Sequence, residues 1–208
     1  MRSILACVFL VGCVEQSAPA PFPKAPEPAT PAKPQGLRTE PHPDWVEIRT
    51  SRIPGAGEGL FALVDIPKDT YIGPYSGRYV APGKSDVLAG TREGLYLFTL
   101  PKCAQDDTRD TIAGDVDDYI SKVNYAPEKI NGHETDLQNT YFATACKEPF
   151  VRLYAKRKIE AGEELYVDYG PNYDYHFMNL PDVQQYFMQA AGVEGPTFEF
   201  EYAKAEDD

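Results

Sequence analysis

Between Val46 and Ala155 the apolar residues come in short runs, each broken within a few positions by glycine, proline or charge. Val46-Glu47-Ile48-Arg49 alternates apolar and polar, as a half-buried strand does. Residues 71–77, 96–100, 140–143 and 151–155 are further runs rich in aromatic and β-branched side chains, with turn formers between them. Such spacing predicts a mainly β fold with short helices. One helix is expected over 182–191, where Val183, Tyr186, Phe187 and Ala190 stand at i, i+3, i+4 and i+7 after Leu180-Pro181. A second, shorter one is expected over 116–123. No internal repeat is visible, and the chain ends in Glu206-Asp207-Asp208.

The segment Ile53-Pro54-Gly55-Ala56-Gly57-Glu58-Gly59-Leu60-Phe61-Ala62 has three glycines in five residues. It reads as an irregular loop that lets backbone approach something closely, not as a regular element. No Gly-Lys-Ser/Thr follows, which excludes a Walker loop. The following Leu63-Val64-Asp65-Ile66-Pro67 reads as strand and turn, which excludes a dinucleotide fingerprint opening a helix.

Charge narrows the partners. With 20 basic and 32 acidic side chains the net charge is −12, the wrong sign for a general nucleic-acid binder. A basic partner, such as a lysine-rich peptide, suits it better. The four cysteines (7, 13, 103, 146) contain no C-x-x-C, and there are three histidines, so no structural or catalytic metal set can be drawn.

The first 44 residues read as an address and a linker. Residues 1–12 have one basic residue and a short apolar run, too short for the about 20 residues that span a bilayer but suited to a secretory signal. Leu10-Val11-Gly12-Cys13 resembles a bacterial lipobox, which would make Cys13 a lipid anchor. Residues 13–44 form a Pro-rich linker, with nine prolines in the 25 positions from Pro19 to Pro43. Export and anchoring are expected if the signal is real, and a cytoplasmic location if it is not. After export Cys103 and Cys146 would remain, either paired or as buried thiols.

Three segments in order carry a resemblance. The first is Ala56-Gly57-Glu58-Gly59-Leu60-Phe61-Ala62 followed by Gly73-Pro74-Tyr75-Ser76-Gly77. The second is Tyr119-Ile120-Ser121-Lys122-Val123-Asn124-Tyr125-Ala126. The third is Ile159-Glu160-Ala161-Gly162-Glu163-Glu164-Leu165-Tyr166-Val167-Asp168-Tyr169-Gly170. Together they resemble the SET-domain protein-lysine methyltransferases over residues 46–175. The family's usual Asn-His-Ser is replaced by Asn124-Tyr125-Ala126, followed by an insert through Asp136, a pattern closer to the PR branch.

The resemblance implies a SET-type β-clip fold of small curled sheets with a threaded C-terminal segment. It would occupy residues 45–178, with a helical segment and acidic tail over 179–208. It also implies S-adenosylmethionine as cofactor and a basic, lysine-containing protein substrate, with no metal. Tyr169, Tyr75 and Tyr173 would line the lysine channel, while Tyr166 would pack. Ala56, Gly57 and Glu58 would meet the cofactor mainly through backbone, Asn124 would bind its amino-acid end, and Tyr125 would reach the adenine region through main chain. Residues 174–178 would cover the adenine. A catalytically inactive binding module on a tethered lipoprotein is the alternative, and oligomeric state is left open.

Overall fold

The computed structural model describes residues 41–201, except 82, 84–87, 89, 90, 92, 101–110 and 172. In chain order its strands are β1 (Val46–Thr50), β2 (Glu58–Ala62), β3 (Tyr71–Pro74), β4 (Gly77–Val80), β5 (Leu97–Thr99) and β6 (Thr111–Gly114). There follow β7 (Asn124–Tyr125), β8 (Lys129–Ile130), β9 (His133–Glu134), β10 (Thr140–Thr144), β11 (Val151–Ala155), β12 (Tyr166–Val167) and β13 (Phe200–Glu201). A single α-helix among the described residues, α1 (Pro181–Ala191), precedes β13. That helix is not long and apolar enough to cross a membrane.

The strands assemble as five small sheets: β1-β2, β10-β11-β3, β4-β6-β5, β12-β7 and β13-β8-β9. Among the described residues only β7 and β12 run parallel; the other pairs are antiparallel. This is the mainly β architecture expected from the short runs. One expectation is corrected at the glycine-rich segment, which is irregular only as far as Gly57. Glu58 onward is β2, because Gly59 pairs with Arg49 and the buried Leu60, Phe61 and Ala62 continue the register against β1.

The second helix is corrected as well. Residues 119–122 make one 3-10 turn, capped by the Asp118 carboxylate, which accepts from the Tyr119 N–H at 2.9 Å. Upstream, the Asp115 side chain accepts from the Asp117 N–H at 3.0 Å, capturing backbone that a longer helix would need. The expected C-terminal helix forms as α1, with Pro181 in its first turn and Val183 and Phe187 buried. Ala190 is exposed, and Ala191 packs inward in its place.

Two apolar clusters hold these sheets. One gathers Leu60, Ile66, Ile72, Ile112, Ile120, Leu153 and Leu165 among its members. The other gathers Ile53, Tyr125, Ile130, Tyr166, Met178, Val183 and Phe187. The insert seen in the sequence is the β8–β9 hairpin, turning at Asn131 and Gly132, both at positive φ (52° and 77°). It is not a surface appendage. Ile130 is fully buried in the second cluster, and β13 pairs with β8 on its other side.

The closing segment lies between two other pieces of chain. On one side β12 pairs with β7 and the Ala126 N–H donates to Val167 O. On the other side Asn139 donates to Glu164 O and accepts from the Tyr166 N–H, both at 2.8 Å, while Thr140 Oγ1 donates to Tyr166 O at 2.7 Å. Gln138 donates to Ala126 O at 2.8 Å, tying together the two ends of the intervening loop. The segment expected to thread is thus held from both sides by a loop closed on itself.

Cys146 is disulfide-bonded, while Cys103, the partner considered for it, lies outside the described residues. So do Cys13, the signal-like segment and nearly all of the linker.

Candidate active site

A pocket of about 380 Å³ takes its walls from both apolar clusters. Tyr75, from the start of the domain, and Tyr169 and Tyr173, from its closing segment, all line it. Ala56, Glu58, Asn124 and Tyr125 line it too, whereas Gly57 stands outside the wall.

The tyrosines belong to two sets of aromatic contacts, Tyr75 with Phe98 and Phe142, and Tyr169 with Tyr125 and Tyr173. The Tyr169 and Tyr173 rings are 4.5 Å apart, and Tyr75 meets Phe142 edge-on at 5.5 Å. Tyr75 Oη donates to Tyr96 O at 2.8 Å and Tyr169 Oη donates to Val123 O at 2.8 Å. Each hydroxyl proton is therefore committed to a main-chain carbonyl, which fixes the oxygen's position. Burial pushes the Tyr75, Tyr169 and Tyr173 hydroxyls above the ordinary tyrosine range, with neighbouring tyrosines adding to the shift. Gly114 permits this arrangement, since a Cβ there would run into the Tyr75 ring at its Cζ, 2.6 Å away.

At the other end of the pocket Asn124 is held by three acceptors. Its Nδ2 donates to Glu58 O at 3.0 Å and to Ser51 Oγ and Glu164 Oε1 at 3.1 Å each. With both amide hydrogens occupied, the carbonyl Oδ1 is what Asn124 has to offer a ligand. Behind it, the buried Glu164 carboxylate also accepts from Ser51 Oγ at 2.7 Å, the Arg52 N–H at 2.8 Å and Tyr166 Oη at 2.9 Å. Tyr166 in turn shares a 2.7 Å hydrogen bond with Tyr186 of α1. The side chain expected only to pack is thus also a link between α1 and Asn124.

Two charged side chains line the pocket among the described residues, Glu58 and Lys122, and they pair with each other at 2.8 Å. The remaining wall at this end is apolar: Ile53, Pro54, Phe177, Leu180 and Val183. Of the stretch expected to cover an adenine, Phe177 lines the pocket. Tyr175 instead packs on Tyr125 at 4.7 Å and donates to Gly170 O, while His176 is exposed. Tyr125 itself is buried, and burial pushes its hydroxyl up. No group of His, Cys, Asp or Glu among the described residues is placed to hold a metal ion.

Sequence reasoning missed Glu164, Ser51, Lys122 and Tyr96. Glu164 is the second of two adjacent glutamates, and nothing in the pattern separates the buried one from its half-buried neighbour. Lys122 and Tyr96 lie inside segments already singled out, and only their position in the wall distinguishes them. In comparison with known proteins, residues 57–170 match the SET domain family, more than half of the 208-residue chain.

Proposed function

The chain belongs to the SET domain family, and from that premise we propose that it transfers a methyl group from S-adenosylmethionine to the side-chain amine of a lysine in a protein. The observation that carries this reading is the convergence of Tyr75, Tyr169 and Tyr173 with Ala56, Glu58 and Asn124 on one pocket. Its volume lies in the range of about 300–1,000 Å³ usual for small-molecule sites. Asn124 Oδ1 matches an ammonium, and the Ile53, Phe177 and Leu180 surfaces match a purine face, so the residues present fit the cofactor.

When bound, S-adenosylmethionine supplies an electrophilic methyl on a sulfonium. The chain's own groups position and desolvate. Asn124 and the main chain of Ala56 and Glu58 hold the amino-acid end, with Gly57 shaping the loop behind them. Tyr125 borders the adenine region, and Tyr75, Tyr169 and Tyr173 form the lysine channel. A free lysine has a pKa of about 10.4, and a dry aromatic channel beside a sulfonium lowers it by disfavouring a second cation. No unpaired carboxylate lines the described wall to trap the ammonium. The tyrosine oxygens orient the amine, so catalysis is alignment and exclusion of water.

The substrate adds beside β5, an edge strand whose Leu97 and Phe98 line the pocket, so main-chain pairing brings a lysine to the channel mouth. A basic protein segment fits the net charge of −12. Within the family the chain sits nearest the PR branch, on the strength of Asn124-Tyr125-Ala126 and the hairpin that follows. Ahead of the domain, the signal-like segment, Cys13 and the Pro-rich linker support an exported, lipid-anchored protein. Fatty-acid labelling that survives Cys13→Ala would remove that anchor from the proposal.

The deciding experiment incubates the full chain with isotopically labelled S-adenosylmethionine and basic proteins, followed by mass spectrometry of the lysines. Labelled lysine, lost or altered in methyl number in a folded Tyr169→Phe variant, is the expected result. Cofactor binding without transfer to any basic protein would favour the binding-module alternative.

A further inference from the structure

Leu95, Tyr96, Leu97 and Phe98 are consecutive apolar or aromatic residues that all line the pocket, and none of them is buried. Leu95 is 65% exposed, the highest value for a large hydrophobic side chain among the described residues. A lone exposed leucine is common and needs no explanation, but an unbroken apolar run on the wall of a site does. The run is held in place by its neighbours. Tyr75 donates to Tyr96 O at 2.8 Å, and the Phe98 ring lies 5.2 Å from Phe142 and 5.9 Å from Tyr75. Leu97 and Phe98 pair through β5 with Ala113 and Ile112 of β6. The main chain of Tyr96 therefore abuts a channel tyrosine, and Leu95 is its immediate neighbour. Glu58 and Lys122, the charged residues of the described wall, come from other segments.

We infer that this run is an apolar lip that selects lysines with a bulky apolar side chain within two residues of them. The inference rests on the pocket being the methyl-transfer site and names the substrate class it takes: Leu, Ile, Met or Phe close to the lysine, with basic residues farther out. A peptide paired beside β5 advances about 3.4 Å per residue, so side chains one and two positions from the lysine pass along the lip. An apolar side chain there covers Leu95 and takes both surfaces out of water, which favours binding in proportion to the area covered. An arginine or lysine at the same place would lose hydration against leucine, and the lip has no carboxylate to meet its charge. The acidic molecule thus attracts a basic protein from a distance, and the lip chooses among its lysines.

The test uses the full chain, labelled S-adenosylmethionine and acetylated synthetic peptides, each with a single lysine in a Gly-Ser-Ala background and arginines at both ends. Leucine replaces alanine singly at each position within two residues of the lysine. At least one placement should raise kcat/KM about tenfold over the alanine parent, the scale of one aliphatic side chain taken out of water, and arginine at that placement should not. Leu95→Ala, at an exposed position, should cut the gain to about threefold or less, while Leu95→Met should keep most of it. No gain at any placement, a gain equalled by arginine, or a gain untouched by Leu95→Ala would overturn the inference. If whole basic proteins are labelled and the peptides are not, the labelled lysines decide, and sites without an apolar neighbour within two positions would overturn it equally. Absence of transfer to peptides and proteins alike would instead defeat the methyl-transfer reading beneath it.

Discussion

Gly59 shows how one missing side chain organises the Asn124 end of the pocket. A Cβ at this position would lie 2.9 Å from Glu164 Cδ and 3.2 Å from Asn124 Nδ2, besides overlapping the carboxylate oxygen. Glu164 is fully buried and braced from four directions, so it has no room to retreat. Gly59→Ala should therefore cost roughly 1–3 kcal/mol, the usual range for overpacking a filled site. Thermal unfolding should show a loss of about 2–4 °C per kcal/mol for a domain of this size. Cofactor affinity should fall with it, because Asn124 is displaced by the same overlap. A variant with unchanged melting and binding would mean that the carboxylate is not fixed as described.

The tyrosines support a prediction on pH. Burial raises the Tyr75, Tyr169 and Tyr173 hydroxyls, so all three remain protonated through mildly basic solution, with Tyr75 donating to Tyr96 O and Tyr169 to Val123 O. Methyl transfer at low peptide concentration should then climb with pH as the substrate amine loses its proton. It should show no fall from tyrosinate formation below about pH 10, where free tyrosine would already be half ionised. A descending limb between pH 8 and 9 that disappears in Tyr75→Phe would contradict this assignment.

At the scale of elements, the two adjacent glutamates of the closing turn do unrelated work. Glu164 points into the pocket network, whereas Glu163 meets Arg157 through two hydrogen bonds of 3.0 and 2.8 Å. Arg157 also donates to Asp136 O, so it fastens the end of the hairpin insert to the turn before β12. Burial alone would raise the Glu163 carboxyl, but Arg157 and the Glu160 N–H outweigh it and hold it below the usual 4.5. The folded state thus binds this proton less readily than the unfolded chain does. The resulting stabilisation is full above pH 4.5 and is lost as pH falls through the lower, folded value. Glu163→Gln should narrow the difference between urea midpoints at neutral pH and at about pH 3.5. An equal acid loss in both proteins would show that other carboxylates carry it.

Elements were legible in the sequence where one local rule decided them. Proline at the start and apolar spacing placed α1 within a residue of its observed beginning. The glycine run was misread beyond Gly57 because β-pairing with Arg49 and burial of Leu60 and Phe61 are tertiary facts. The 116–123 segment looked helical until its aspartates captured backbone N–H groups. In the pocket, motif position sufficed to single out Tyr75, Tyr169, Tyr173 and Asn124. Lys122 and Glu164 were hidden because a charged residue in a short run reads as a solvated one. Their burial is set by segments far apart in sequence.

Across the whole molecule the charge is unusually one-sided for a chain whose proposed substrate is a protein lysine. A net −12 raises the local concentration of cationic peptides and disfavours acidic ones. The contacts within the described pocket wall add little to that field, since Glu58 and Lys122 cancel. Long-range steering and channel chemistry can therefore be separated by salt. Exposed charges beyond about 10 Å are largely screened at 0.1 M ionic strength, whereas the buried tyrosine channel is not affected. With a peptide carrying several Lys and Arg residues around the target, kcat/KM should fall several-fold between about 20 and 300 mM salt, through KM, while kcat stays level. A peptide of the same length with neutral flanks should show almost no salt dependence. If both peptides respond alike, the acidic surface has no part in substrate choice, and recognition lies in the β5 edge and the channel alone.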